Sequence, residues 1–339
     1  MTVQYRVELG TRASRRFAVV GIVGALVLAL VPFLADRSLL VSLTQLMILI
    51  ALGELWNLLA GYAGIYSLGQ QAYVGIGAYA TFVLADLVDL NLWLSLVLSG
   101  AVAVLIGVLT ALLVSRLHGG YFAVATWVIA ETYRLIVKNN ATLFPRGTPQ
   151  PLRALSVLGE NRFRMVYWLA LVAGAGAIIG ALFLLRSRLG LALSAIRDDE
   201  ETAAASGVDV NRVKLTVYLI VAAATGLVGG VYLLNNVSID PDSYFAVGLT
   251  AQMVIVVVVG GLGTIEGPIL GAIVYFLLDE NLSELGAWWF IILGVFLIVV
   301  MLRAPKGLWG LIQERTGLRL FPVQRRLVIE KPSVETGVS

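Results

Sequence analysis

Cysteine is absent from this 339-residue chain, and histidine occurs once, at His118. Disulfides, thiolate metal sites and cysteine nucleophiles are thereby excluded, and a single imidazole argues against a histidine metal centre or a Ser-His-Asp triad. Charge is scarce too: 13% of residues are charged, where soluble domains carry about a quarter. None of the four lysines (Lys138, Lys214, Lys306, Lys331) is followed by Ser or Thr, so the chain has no P-loop for a nucleotide. No pair of carboxylates has the spacing of a hydrolytic site. The reading is of a protein that does no chemistry of its own and needs no metal or cofactor. If ATP acts here, another chain binds it.

What the chain does have is apolar length. Hydrophobic residues make up 59% and the mean hydropathy is +0.91, which places the protein in a membrane. Runs of about 20 apolar residues, enough to span a bilayer, recur along most of it. The first, 17–35, follows Arg6, Arg12, Arg15 and Arg16; it is too long for the core of a cleaved signal peptide and reads as a retained span. Further segments are expected at 39–59, 67–85, 92–114, 121–137, 165–185, 213–234, 245–259, 267–278 and 287–302. The expected fold class is all-α: a polytopic transmembrane helical bundle of about ten segments. A tail (1–16) precedes the membrane domain (17–303), and a basic tail (304–339) follows it.

With the N-terminus inside, the inner connections hold four basic residues in 1–16, then Arg116, five in 186–214 and seven from Arg303 onward. That is seventeen of the twenty-four Lys and Arg, and the reverse topology would violate the positive-inside rule by the same margin. Both termini are therefore expected in the cytoplasm. Six of the seven outer cations fall between Arg134 and Arg164, which marks a structured external loop or a different span count there.

Residues 186–214 form the longest polar insertion in the second half. They hold Arg186, Arg188, Arg197, Arg212 and Lys214 against Asp198, Asp199, Glu200, Glu201 and Asp209. A charge at mid-bilayer costs roughly 2.5–3.5 kcal/mol, so this stretch lies in water. Leu191, Ile196 and Ala203–Ala205 between the charges, closed by Gly207, read as a short amphipathic helix. Between two spans, such a helix suits either a docking surface for a soluble partner or an ordinary surface loop.

Other features are less specific. Gly263, Gly267 and Gly271 share a helical face, as do Gly226 with Gly230 and Gly176 with Gly180, spacing that permits close helix packing in lipid. Pro268 suits a helix first turn, making 260–267 a break. Glu54, Glu131 and Glu266 are carboxylates in or beside apolar segments and so are functional candidates, with Arg134 placed to pair with Glu131. The stretch 61–79 is polar for a span, and Gln70, Gln71 and its tyrosines must face other helices or a water-filled path. Aligning 67–86 with 261–280 matches six of 20 residues, a possible internal repeat of the kind transporters place around a pathway. The tail basics Arg315, Arg319, Arg325 and Arg326 suit topology or lipid headgroups rather than nucleic acid.

Several blocks together resemble the permease subunits of branched-chain amino acid ABC importers, specifically the M-type member of a two-permease pair. They are Gly61-Tyr62-Ala63-Gly64 with Ser67-Leu68-Gly69 and Gly75-Ile76-Gly77-Ala78-Tyr79; Gly120-Tyr121-Phe122-Ala123 with Glu131 and Arg134-Leu135; and Arg188-Leu189-Gly190 through Ala195-Ile196-Arg197 to Glu200, Ala203 and Gly207. Pro241-Asp242-Ser243, Gly260-Gly261-Leu262-Gly263-Thr264, Gly267-Pro268 and Arg303-Ala304-Pro305-Lys306-Gly307-Leu308 complete the series.

The resemblance implies a prokaryotic plasma-membrane permease that pairs with a homologous permease, two cytoplasmic ABC ATPases and an external solute-binding protein. It implies an ATPase-coupling segment carrying Arg188, Gly190, Arg197, Asp198, Glu200, Glu201, Ala203 and Gly207. Gln70, Gln71, Tyr73 and Glu131 are the residues expected along the translocation path. Ile65 and Gln70 stand where the family commonly has glutamine and histidine, and Pro145-Arg146-Gly147-Thr148 replaces a Thr-Gly-Gly-type motif. These departures keep urea or short amides open as alternative solutes. A stand-alone carrier coupled to an ion through Glu54 or Glu131 is the rival from another class.

Overall fold

The computed structural model describes residues 5–8, 21, 23–143, 148–317, 320–321 and 326–329. Most of the 1–16 tail, the 145–147 departure, and Arg319 and Arg325 lie outside them. The helices are α1 (Val23–Phe33), α2 (Arg37–Asn57), α3 (Gln71–Phe82), α4 (Leu92–Val114), α5 (Gly119–Lys138), α6 (Arg162–Arg186), α7 (Arg188–Asp198), α8 (Glu200–Ala205), α9 (Val210–Asn236), α10 (Pro241–Tyr244), α11 (Val247–Gly260), α12 (Glu266–Leu282), α13 (Ala287–Arg303) and α14 (Gly307–Thr316). Short strand pairs join β1 (Tyr5–Glu8) to β4 (Arg326–Ile329) and β2 (Gln150–Pro151) to β3 (Ser238–Ile239), both antiparallel.

Among the described residues the expected segments are largely helical, and six stretches are long and apolar enough to cross a bilayer. They are Arg37–Tyr62, Leu92–Val114, Arg153–Arg186, Val210–Asn236, Pro241–Gly260 and Ile291–Thr316. The segments expected near 67–85, 121–137 and 267–278 fall short for physical reasons, while the one expected near 17–35 lies partly outside the described residues. Helix α3 has 12 residues before a five-residue π turn, and α12 has 17. Helix α5 has 20 residues but carries Glu131, Arg134 and Lys138.

The centre of the bundle is α2, whose residues from Met47 to Asn57 are all buried. It packs against α6, α9, α11 and α12, while α3 lies between α4 and α9. Helix α2 runs on as a π turn, Leu58–Tyr62, before the chain reverses. Helices α4, α5 and α13 turn Leu105, Leu112, Val124, Val128, Ile298 and Leu302 outward, the apolar exposure expected of lipid-facing or subunit-facing surfaces.

The glycine stripes divide. Gly267 and Gly271 lie against the backbone of 256–261, and Gly226 and Gly230 lie against α4, so both stripes serve packing inside the chain. The face of α6 carrying Gly176 and Gly180 packs on nothing among the described residues. The proposed repeat retains a shared order of glycine-rich turn and helix, Leu58–Tyr62 with α3 and 261–265 with α12, and that order alone does not make a repeat.

The 261–265 turn, the 186–214 stretch and residues 320–321 meet at one end of the bundle. Arg197 approaches Gly61 and Gly263, and Gly261 abuts Lys306. There Glu266, the first residue of α12, accepts backbone N–H bonds from Leu320 and Phe321 at 3.0 and 2.9 Å.

Candidate translocation path and coupling segment

The 186–214 stretch is two helices rather than the single one expected. Ser187 caps α7 by accepting from Leu189 N–H at 3.2 Å. Asp199 then leaves helical geometry (φ −162°, ψ 116°) and caps α8, its Oδ1 accepting from Thr202 N–H at 2.6 Å. A short carboxylate that can bond a nearby amide favours ending one helix and starting another over continuing. The Thr202 amide also holds the Asp199 carboxyl below the usual aspartate range. Gly207 closes α8 at φ +89°, and Asp209 caps α9 through Arg212 N–H at 3.0 Å.

Among the coupling residues, Gly190 and Ala203 are buried and face the bundle with Leu193 and Ile196. Arg188, Arg197, Asp198, Glu200, Glu201 and Gly207 are exposed, as is Leu191. Two of these reach back into the protein. Glu200 pairs with Lys214 at 2.6 Å. Arg197 places Nη1 3.5 Å from the Gly61 carbonyl and close to Gly263.

That contact lands on a joint between two chain reversals. Asn57, wholly buried at the end of α2, donates from Nδ2 to the Thr264 carbonyl and accepts at Oδ1 from Gly263 N–H, both at 2.8 Å. Gly61 must lack a side chain, because a Cβ there would run into Asn57 Oδ1 and the Gly263 backbone. One amide thus ties the end of α2 to the turn between α11 and α12. Asn57 was not singled out from sequence; its signal was a lone amide among apolar neighbours.

The structure brings together three of the four expected path residues. Gln70, Gln71 and Tyr73 are buried where α3 begins. Gln70 Nε2 donates to Thr225 Oγ1 at 2.9 Å, and Tyr73 and Tyr218 share a hydroxyl bond of 2.7 Å. The Gln71 amide N–H donates to Thr250 Oγ1 at 3.0 Å, and the Thr250 hydroxyl donates back to Gln71 Oε1. Gln70 Oε1 has no hydrogen-bond partner among the described residues. Tyr218 and Thr225 lie two turns apart on one face of α9, and neither was singled out in the sequence.

Glu131 stands apart. It binds Arg134 through Nε at 2.9 Å, and Arg134 and Lys138 both reach Asp242, the latter at 2.7 Å. This four-charge cluster staples the end of α5 to α10, away from the glutamines. Glu54 is wholly enclosed, with neither carboxylate oxygen hydrogen-bonded.

A cavity of about 550 Å³ is lined by Tyr218, the partner of Tyr73, and by Glu200 and Lys214 of the 186–214 stretch; Gln70, Gln71, Tyr73 and Glu131 do not line it. Phe122, whose ring meets that of Tyr218 edge-on at 6.5 Å, forms part of its wall, and Arg116 lines it as well. Its lining is mostly apolar, with Val108, Leu112 and Leu215 among the walls.

An apolar polytopic bundle with a mostly apolar cavity, buried polar contacts between helices and a charged segment at one end defines a membrane transport subunit. The chain belongs to the family described as branched-chain amino acid transport system, permease component, which matches residues 37–302. It is 28% identical over 325 residues to the high-affinity branched-chain amino acid transport system permease protein LivM of Escherichia coli K12, covering 88% of this chain and 76% of that protein. A probable LivM of Methanocaldococcus jannaschii is 24% identical over 74% of this chain and 87% of its own length. The fructose import permease protein FruG of Bifidobacterium longum is 24% identical over 73% of this chain and 77% of its own. No solved structure gives a significant match. The protein is thus a multi-pass permease subunit of an ABC transporter, of the kind that works in a complex with other subunits.

Proposed function

We propose that this chain carries branched-chain or other hydrophobic amino acids inward across the plasma membrane of a prokaryote. It does so with a second, homologous permease subunit, two cytoplasmic ABC ATPases and an external solute-binding protein. The observation that carries the reading is the cavity of about 550 Å³, whose apolar walls suit an aliphatic side chain. Its wall includes Tyr218, bonded to Tyr73, and the Glu200–Lys214 pair of the coupling segment. In this reading the exposed sides of α7 and α8, with Arg188, Asp198 and Glu201, dock on an ATPase, where charge fixes the register. Closure of the ATPases on ATP moves that segment. Arg197 passes the movement to Gly61 and Gly263, and so to α2, α3, α11 and α12. Parting of α3 from α9 and α11 then opens a route past Gln70, Gln71 and Tyr73, while Glu131 acts at the far end through its link to Asp242.

The test is uptake of labelled leucine, isoleucine, valine, urea and fructose by the reconstituted complex, with and without ATP. ATP-dependent uptake of a branched-chain amino acid is the expected result. ATP-dependent uptake of urea or a short amide alone keeps the architecture and transfers the function to the second reading, favoured by Ile65 and Gln70. Uptake that ignores ATP and follows an ion gradient overturns the coupling argument.

A further inference from the structure

At the end of the bundle opposite the coupling segment, α1 turns into α2 beside the start of α6. Three guanidinium groups gather there on two aromatic rings. Arg37 Cζ lies 3.9 Å and Arg162 Cζ 4.4 Å from the centre of the Phe163 ring, and Arg164 Cζ lies 5.9 Å from that of Phe33. All three arginines border a cavity of about 560 Å³, together with Glu160. Among the described residues none of the three forms an ion pair with a carboxylate, so the site keeps an excess of positive charge even with Glu160 counted. Stacking on a ring leaves a guanidinium's in-plane N–H donors free for an oxyanion, and like charges collected without a counter-charge favour one.

Two further observations say where that oxyanion comes from. One residue group deeper, the Tyr167 hydroxyl donates to the Leu28 carbonyl at 2.9 Å and Trp168 Nε1 to the Ala29 carbonyl at 3.1 Å. Tyrosine and tryptophan concentrate at the membrane–water boundary, so the arginines stand at headgroup level. Beside them α1 leaves Val23, Leu26, Val27, Leu30 and Phe33 more than half exposed, from 53 to 61%. A soluble anion has no use for such a wall; acyl chains do.

We propose that Arg37, Arg162 and Arg164 hold the phosphate of an anionic phospholipid whose acyl chains lie along the exposed face of α1. The site is independent of the transported solute. The experiment is native mass spectrometry of the full chain in detergent with equal amounts of phosphatidylglycerol and phosphatidylcholine. The wild-type chain should retain phosphatidylglycerol preferentially, and the preference should fall about fivefold for each arginine removed in Arg37→Gln, Arg162→Gln and Arg164→Gln, the scale of a juxtamembrane cation on an anionic surface. Arg164→Gln leaves the Phe163 stack untouched, so it remains readable should the other two fail to fold. Arg212→Gln, at the opposite end and in the water-facing 186–214 stretch, should leave the ratio unchanged. Equal retention of the two lipids, or an unchanged ratio in Arg164→Gln together with either stacked variant, overturns the proposal. Displacement of phosphatidylglycerol by millimolar inorganic phosphate, with equal stabilisation by that salt alone, also overturns it, assigning the site to a soluble anion.

Discussion

Asn57 makes two hydrogen bonds to backbone groups more than 200 residues away, and nothing else in α2 reaches the 261–265 turn with polar atoms. Replacing it with Ala leaves Gly263 N–H and the Thr264 carbonyl without those partners in a half-buried site, at a cost of about 1–3 kcal/mol for each group left unmet. Asn57→Ala should therefore melt at a lower temperature than wild type in detergent, and an unchanged melting point would remove the amide from its role as tie. Tyr73 and Tyr218 offer a smaller effect. Tyr73→Phe and Tyr218→Phe each lose one hydroxyl bond, about 1 kcal/mol, and because the bond is shared, the double variant should lose less than the sum of the two. Asp199 adds a pH dependence with a definite sign. Its folded-state carboxyl titrates below its unfolded value of about 3.9, so the cap on α8 is fully present above that value and is lost as pH falls through the lower, folded one. Amide exchange at Thr202 should be slow at neutral pH, faster in Asp199→Ala, and equal in the two proteins once the carboxyl is protonated.

At the scale of elements, α7 and α8 are where a change of charge should separate assembly from insertion. Glu200 and Glu201 both lie in the first turn of α8 and are exposed. The double variant Glu200→Lys with Glu201→Lys breaks the pair with Lys214 and sets like charges against each other. A like-charge contact costs several kcal/mol at an interface, so co-purified ATPase should fall roughly tenfold or more and ATP-driven uptake with it, while the chain still inserts. Normal co-purification and normal uptake would sink the docking assignment. The elements themselves differ in how much of them the sequence disclosed. Helix α4 matches its apolar run residue for residue, because nothing charged interrupts 92–114 and Asn91 caps it. The break at Asp199 was hidden, since charges on both sides of it fit one amphipathic helix equally well. The start of α3 was placed too early. Residues 67–70 bond sideways, Leu68 N–H to Thr126 at 3.2 Å and Ser67 through its carbonyl to Trp56 at 2.9 Å, and such tertiary contacts leave no periodic trace. Of the path residues, Gln70 and Gln71 were legible as amides too costly to leave unpaired in lipid. Their partners Thr225 and Thr250 were not, because threonine can satisfy its hydroxyl on its own helix.

For the molecule as a whole, the fold arranges the charged connections into two groups. Residues 186–214, the 261–265 turn and residues 320–321 share one end, and the Arg37–Arg162 cluster with the 150–161 segment occupies the other. We predict from the positive-inside rule that the first end faces the cytoplasm, since in the sequence the connections expected there hold seventeen of the twenty-four basic residues. The absence of cysteine makes this directly testable, since any thiol introduced is unique. Ser206, just past α8, and Ser156, in the connection before α6, are both exposed and lie in the two opposite groups. A membrane-impermeant maleimide should label Ser206→Cys in inverted vesicles and not in right-side-out ones, and Ser156→Cys in the reverse pattern. Reversed labelling of both positions would turn the protein over and separate the coupling segment from any cytoplasmic ATPase. Labelling of both from the same side would rule out α6 as a crossing, because α6 alone joins Ser156 to α7 and a single crossing must place them on opposite faces.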